Sequence, residues 1–212
     1  MPALRQLSFD CVEHAPGCLS ALKLESLSIC EGERLDEASI VLVQAALPHL
    51  RSLTHLALTD VPDLSLDALA ALPGLRSLAW CPGGDVGSPP SGPWLYRLES
   101  LSVCLNDLVP LLPVLARAAA LSSVGVACVA YGSAVAAADL RAVLRTAGRL
   151  PALHTLELNL SEELLASVAV DAMDALRHSH VRLRVAHDGT LFDPDRLRQL
   201  CVGPDPFPAF DM

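Results

Sequence analysis

The residues of this sequence that are best suited to chemistry are its cysteines, and their spacing does not form a metal-binding pattern. The seven cysteines are widely separated, with no CxxC or CxxxC pair: Cys11, Cys18, Cys30, Cys81, Cys104, Cys128 and Cys201. A zinc site or a dense disulfide framework normally needs closer pairs. Reduced thiols in an intracellular protein are therefore the simpler interpretation.

The histidines form one further cluster in the sequence, since His178, His180, His187 and Asp188 are close together. Strand alternation would place His178 and His180 on the same side, but no third ligand follows them at metal spacing. The motifs GxSxG, GxGxxG, HExxH and the Walker loop are absent, so no motif selects a catalytic serine or a phosphate-binding loop. We therefore expect a protein that is not an enzyme and has no cofactor and no bound metal.

The charge of the chain is unfavourable for polyanionic partners. The sequence has 24 acidic and 15 basic residues, a formal net charge of -9, and no local run of Lys and Arg offsets it. Because an acidic surface repels phosphate groups, we expect neither nucleic acid nor an anionic membrane as a partner. The amino terminus lacks the pattern of a signal peptide, which favours a cytoplasmic protein.

One uncharged stretch, residues 118–138, has a length that could span a bilayer. It consists mostly of Ala, Ser, Gly and Val, which makes its transfer into a membrane unfavourable. We predict that it divides into a strand, a loop and the start of a helix.

One pattern, L-x-x-L-x-L, organises the sequence. It recurs about eight times, and its first positions lie about 25 residues apart on average. The residues at positions 1, 4 and 6 of the units are Leu4/Leu7/Phe9, Leu24/Leu27/Ile29, Leu53/Leu56/Leu58, Leu75/Leu78/Trp80, Leu98/Leu101/Val103, Leu121/Val124/Val126, Leu153/Leu156/Leu158 and, more weakly, His178/Val181/Leu183. Positions 4 and 6 lie on the same face of a strand. Stacked units would therefore bury a continuous ladder of aliphatic side chains between parallel strands.

Helical spacing of apolar residues separates the strands. It predicts helices over residues 36–47, 64–72, 108–118, 139–150 and 161–176, the last with Ser161 as its N-cap. Residues 81–93 are rich in Pro and Gly, which predicts a loop. A final helix over 194–201 would cover the last layer, so the domain is predicted to span 1–202, with a Pro-rich tail over 203–212.

These units resemble the leucine-rich-repeat family over about 85% of the chain. The motifs that carry the resemblance are Leu53-Thr-His-Leu56-Ala-Leu58, Leu98-Glu-Ser-Leu101-Ser-Val103 and Leu153-His-Thr-Leu156-Glu-Leu158. The unit lengths look like the intracellular ribonuclease-inhibitor and F-box-associated types. The resemblance implies an α/β solenoid of about eight repeats, with parallel strands on a concave face and helices and loops on a convex face. The family usually has Asn or Cys at position 9, where only Asn106 fits here.

Positions 3, 5 and 7 of the units would form the concave face, which the resemblance implies is the binding surface. The side chains in the middle of this face are small and nearly all uncharged. Two explanations stay open, namely that a partner approaches closely there or that side chains are crowded in a curved sheet. Its carboxyl end is polar, with Glu157, Asn159, His180, Arg182 and Arg184. Arg182 or Arg184 could bind a carboxylate of a protein partner. The alternative is a solvated sheet edge with a Glu157–Arg182 cross-strand pair, which would contribute about 0.2–1 kcal/mol.

Three of the cysteines share one column of this surface. Cys30, Cys81 and Cys104 all fall at position 7, beside Ser and Ala rather than His or acidic ligands. This surrounding favours free thiols over a metal or redox site.

We therefore expect a non-catalytic scaffold for protein–protein interaction that binds a protein partner through the concave face. Two alternatives stay open, the substrate-recognition part of an F-box-type ubiquitin ligase and a structural protein of the cytoskeleton or of the ciliary axoneme. Neither an F-box nor a cap precedes Leu4. We therefore expect a truncated start, a missing domain or exposed apolar surface at that end.

Overall fold

The fold is seen in a computed structural model that describes residues 4–10, 19–30, 37–59, 61, 66–81, 93–127, 133–161, 164, 168, 180–187 and 190–191. In this part of the chain, nine strands form one open sheet in sequence order. The strands are β1 (Gln6–Asp10), β2 (Ser26–Cys30), β3 (His55–Thr59), β4 (Ser77–Cys81), β5 (Ser100–Cys104), β6 (Ser123–Ala127), β7 (Thr155–Asn159), β8 (Arg182–His187) and β9 (Thr190–Leu191). The first eight strands are parallel, and β9 returns antiparallel to β8.

The predicted ladder of apolar side chains is the core of this α/β arrangement. In the centre of the sheet, Leu101 pairs in register with Leu78 on one side and with Val124 on the other. All three side chains are buried, and Leu101 is 0% exposed. Position 1 supplies a third buried residue to each central layer, as Leu98 does beside β5. The alternation of buried and exposed residues along each strand is therefore what places the polar residues on the opposite face.

Within the described ranges, three α-helices and four short 3-10 helices lie between the strands. The α-helices are α1 (Glu37–Ala46), α2 (Leu105–Leu115) and α3 (Ser133–Ala147). The 3-10 helices are Leu19–Ala21, Leu47–His49, Leu66–Ala71 and Pro93–Arg97. The prediction over 64–72 is thus correct in position but not in type, because this short crossover is wound as a 3-10 helix.

The two later helices begin before their predicted starts. α2 begins directly after β5 and includes Pro110 and Pro113, which remove two backbone donors from its interior. α3 begins at Ser133, so the uncharged stretch 118–138 contains the predicted strand, β6, and the predicted helix start, while residues 128–132 between them lie outside the described residues. Among the described residues, none of the helices combines the length and apolar character that crossing a membrane requires. Residues 82–92, most of 161–176, and 194–212 lie outside the described residues.

The turn position after the strands is filled differently from the family expectation. Asn106, the one residue that fits the position-9 Asn, is exposed in the first turn of α2. Val61 occupies the same position after β3 and is 1% exposed. Apolar packing rather than a buried amide therefore fills this turn in the third unit.

A ladder of backbone hydrogen bonds aligns successive units where the strands begin. The carbonyl of the position-2 residue in one unit accepts two N–H groups of the next. Glu25 O, for example, accepts from Thr54 N at 2.9 Å and from His55 N at 3.0 Å. The hydroxyl of Thr54 donates to this same carbonyl at 2.9 Å. The pattern repeats along the sheet up to the bond from Arg182 N to the carbonyl of His154.

The two ends of the described sheet differ. At β1, Leu4 is 51% exposed and Leu7 is only half-buried, so the expected exposed apolar surface is present there. At the other end, the short antiparallel β9 pairs with the end of β8. The sequence did not predict this hairpin. The predicted first position of the eighth unit, His178, lies outside the described residues.

Candidate functional site

We keep the name concave face for the face of the sheet formed by positions 3, 5 and 7, which was predicted to be concave. From β2 to β6 this face is formed by small side chains. Apart from His55, the described side chains at positions 3, 5 and 7 are Ser, Ala, Thr, Cys or Gly. They pack closely, since a Cβ atom built on Gly125 would lie 2.9 Å from Oγ of Ser102 on the neighbouring strand. At Gly125 the small residue is therefore explained by crowding between strands, which is one of the two explanations considered for the central surface.

The carboxyl end of the concave face carries the charged residues, but in a different register from the predicted one. Thr155 pairs with Arg182 and Glu157 pairs with Arg184, so the eighth unit is shifted by two residues. The predicted Glu157–Arg182 pair is therefore wrong. Residues 181, 183 and 185 are all apolar, and either choice of two gives the same alternation.

The carboxylate of Glu157 instead forms an ion pair with the guanidinium of Arg184. The two side chains are 48% and 46% exposed, so solvent screens this pair. Arg182 lies two residues before Arg184 on β8 and is exposed, and no carboxylate of the described residues pairs with it. Asn159 is exposed at the end of β7. The concave face thus ends in a neutralised pair beside one available guanidinium and one available amide.

His180, the fifth predicted site residue, does not lie with the other four. It precedes β8, and its ring meets the ring of His154 edge to face with the centroids 5.5 Å apart. His154 is a position-2 residue, so this pair is at the border of the sheet where strands begin. His187 falls within β8, and the structure describes nothing of Asp188.

The column of thiols is present, with three different environments. Cys30 is exposed, Cys81 is partly buried and Cys104 is buried, and none of the three forms a disulfide. Cys104 immediately precedes α2, which starts without a loop after β5. Throughout the described ranges, no three His, Cys, Asp or Glu side chains are grouped so that they could hold a metal ion.

A second polar surface was missed by the sequence prediction. The strands β1 to β8 are parallel, so the segments that lead into them lie along one border of the sheet. We call this border the strand-start edge. Each of the first seven units contributes one cation to this edge: Arg5, Lys23, Arg51, Arg76, Arg97, Arg117 and Arg149. The only described carboxylates in the same segments are those of Glu25 and Glu99. The edge therefore has seven cations against two carboxylates, a net charge of +5, in a chain whose net charge is -9.

These cations were missed because they are about 25 residues apart in sequence and form no run. The signal was their recurrence within four residues of the first position of each unit. A search for local runs of Lys and Arg therefore does not detect this edge.

No protein-family model matches the chain, and no curated protein matches it either.

Proposed function

We propose that this protein is a leucine-rich-repeat solenoid that acts as a non-catalytic scaffold and binds a protein partner through its concave face. The repeat class is supported by the seven units whose predicted positions coincide with the strand register. The observation that carries the function is the concave face itself. It is a continuous surface of small side chains, and it ends at an exposed arginine that has no described carboxylate partner.

Small side chains over five strands would let the backbone of a partner approach the sheet closely. Polar groups at one end would then fix the orientation of that partner. Arg182 is suited to this role because a guanidinium can bind a carboxylate through two parallel hydrogen bonds. Glu157 and Arg184 already neutralise each other, so they would contribute hydrogen bonds rather than net charge. Asn159 adds an amide beside them.

A photo-crosslinking experiment tests which face binds. We would place a photo-reactive amino acid at Ala79, a half-buried residue at the centre of the concave face, or at Ala138, an exposed residue of α3. Covalent capture of one protein from Ala79 but not from Ala138 is the expected result. Capture from Ala138 alone, or from neither position, would contradict the proposed concave site.

The polar end is tested with the partner that this capture identifies. Arg182→Glu should weaken direct binding of the purified partner by at least about tenfold, because it removes a charge-assisted pair and adds repulsion. Arg184→Glu should weaken it as well, since it also leaves Glu157 without its ion pair. Arg145→Glu is the matched control, because Arg145 is an exposed arginine of α3 outside the concave face. Equal affinities for Arg182→Glu and Arg145→Glu would show that the polar end is not the site.

A further inference from the structure

The strand-start edge is a row of cations on an acidic protein, separate from the concave face. Its seven basic residues come from seven consecutive units, one from each. From this row we propose that the strand-start edge binds an acidic segment of a protein, an extended stretch rich in Asp and Glu.

The spacing of the row suits an extended peptide. Neighbouring strands lie about 4.8 Å apart, so the six steps between seven units span about 29 Å where they follow the sheet. An extended chain covers about 3.4 Å per residue, so about nine residues would match this length. Such a peptide presents a side chain to one face about every 7 Å, and flexible Arg and Lys side chains can meet that interval.

Four of the cations are available to a ligand. Lys23, Arg51, Arg117 and Arg149 are all exposed, and none pairs with a carboxylate of the described residues. The remaining cations are engaged within the edge.

The other three cations, Arg5, Arg76 and Arg97, already have partners within the edge. Arg5 Nη1 lies 3.0 Å from Glu25 Oε1, and Arg76 Nε lies 3.5 Å from Glu99 Oε1. The guanidinium of Arg97 donates to the carbonyl of Pro73 at 3.2 Å. Both ion pairs are largely exposed and therefore weak, so a ligand carboxylate can compete for the two arginines.

The charge distribution favours an acidic peptide over a phosphate polymer. With +5 on this edge and -9 on the whole chain, the other residues carry a net charge of -14. Duplex DNA has a charge about every 1.7 Å along two strands, and a membrane is wider still, so both would meet this surrounding negative charge. A single peptide can stay within the row. Its backbone N–H groups can also donate to Glu25 and Glu99, which would repel a continuous line of phosphates.

Fluorescence anisotropy with a labelled peptide of twelve glutamates tests the proposal on the full chain. The peptide should bind at low salt, and affinity should fall as salt rises. The variant Arg51→Gln/Arg117→Gln should bind it at least about threefold more weakly. The control variant Arg141→Gln/Arg145→Gln removes the same charge on α3, outside both the edge and the concave face, and should weaken binding less than about twofold. Circular dichroism verifies that both variants are folded.

A substitution that should strengthen peptide binding provides a second test. Glu99→Gln frees Arg76 and should tighten peptide binding by about two- to threefold, whereas Asp139→Asn, on α3, removes the same charge elsewhere and should leave it unchanged. Equal losses in the two double variants, or equal gains for Glu99→Gln and Asp139→Asn, would overturn the proposal. So would the absence of peptide binding, or tighter binding of a DNA duplex or of phosphatidylserine vesicles. None of these outcomes bears on the concave site, whose tests use Arg182 and Arg184.

Discussion

Replacing Leu101 by alanine should destabilise the protein by about 3–4 kcal/mol, because Leu101 is a closed position in the centre of the ladder. It is 0% exposed and lies between Leu78 and Val124 of the neighbouring strands. The substitution removes three carbon atoms, and at about 0.8 kcal/mol each this loss of burial costs about 2.4 kcal/mol. The layers on both sides restrict collapse around the vacated volume, and the remaining cavity raises the cost to within the usual range of about 3–5 kcal/mol.

Equilibrium unfolding in urea, followed by tryptophan fluorescence, measures this cost. Trp80 and Trp94 are each 2% exposed and belong to the central units, so both report on the region that Leu101 stabilises. Leu7→Ala is the matched control, since Leu7 occupies the same ladder position on β1 but is only half-buried. We expect the control to cost about 1 kcal/mol. A cost below about 1.5 kcal/mol for Leu101→Ala, or equal costs for both variants, would refute the stacked-layer explanation of the core.

Three further predictions concern local features. A double-mutant cycle with Glu157→Gln and Arg184→Gln should give a coupling energy of about 0.2–1 kcal/mol by urea unfolding, and a coupling near zero would contradict the register of β7 and β8. Ser161→Ala should cost about 0.5–1 kcal/mol by thermal unfolding, because the hydroxyl accepts the N–H of Leu164 at 3.3 Å as the predicted N-cap; an unchanged stability would exclude that cap. Gly125→Ala should cost about 1 kcal/mol, since the new Cβ would lie 2.9 Å from Ser102 Oγ, and Ser102→Gly should remove this cost; the same cost in both backgrounds would refute the contact.

The strand positions of the first seven units could be predicted because the spacing of L-x-x-L-x-L marks each strand. In five of these units, the helical spacing that follows also marks where the strand must end. In the eighth unit the pattern gives two solutions, with Val181 and Leu183 or with Leu183 and Val185 in the core positions. A period of two cannot distinguish registers that differ by two residues. The backbone bond from Arg182 N to His154 O selects the second solution, and periodicity carries no information about that bond.

The helix starts were predicted less well because their first turns lack a polar–apolar contrast. Residues 133–138 are almost all Ala and Val, so only Asp139 marks a solvent side. In the structure, Ala136 and Ala137 are already buried against the core. The start of α2 was also missed, because the predicted helix begins at residue 108 whereas α2 begins at Leu105, directly after β5.

Of the two candidate sites, one could be predicted from the sequence and the other could not. The polar carboxyl end of the concave face could be predicted because its residues are neighbours in sequence. The strand-start edge could not be found by scanning for runs of charge, because parallel stacking brings together residues such as Arg51 and Arg117 that are far apart in the chain. Scanning by position within the repeat would have found it.

The ladder of backbone bonds along the strand-start edge has a mechanical consequence. These bonds point along the direction in which the units stack, so a force that pulls the two ends apart along that direction stretches every interface at once and separates the weakest first. Each carbonyl of the ladder accepts two backbone N–H groups of the next unit, so the interfaces are similar, and their bonds are pulled along their length rather than in shear. We expect the chain to extend by peeling, with successive length increments of about 8 nm for each unit of about 25 residues. Such a protein would yield gradually under tension rather than fail in one step.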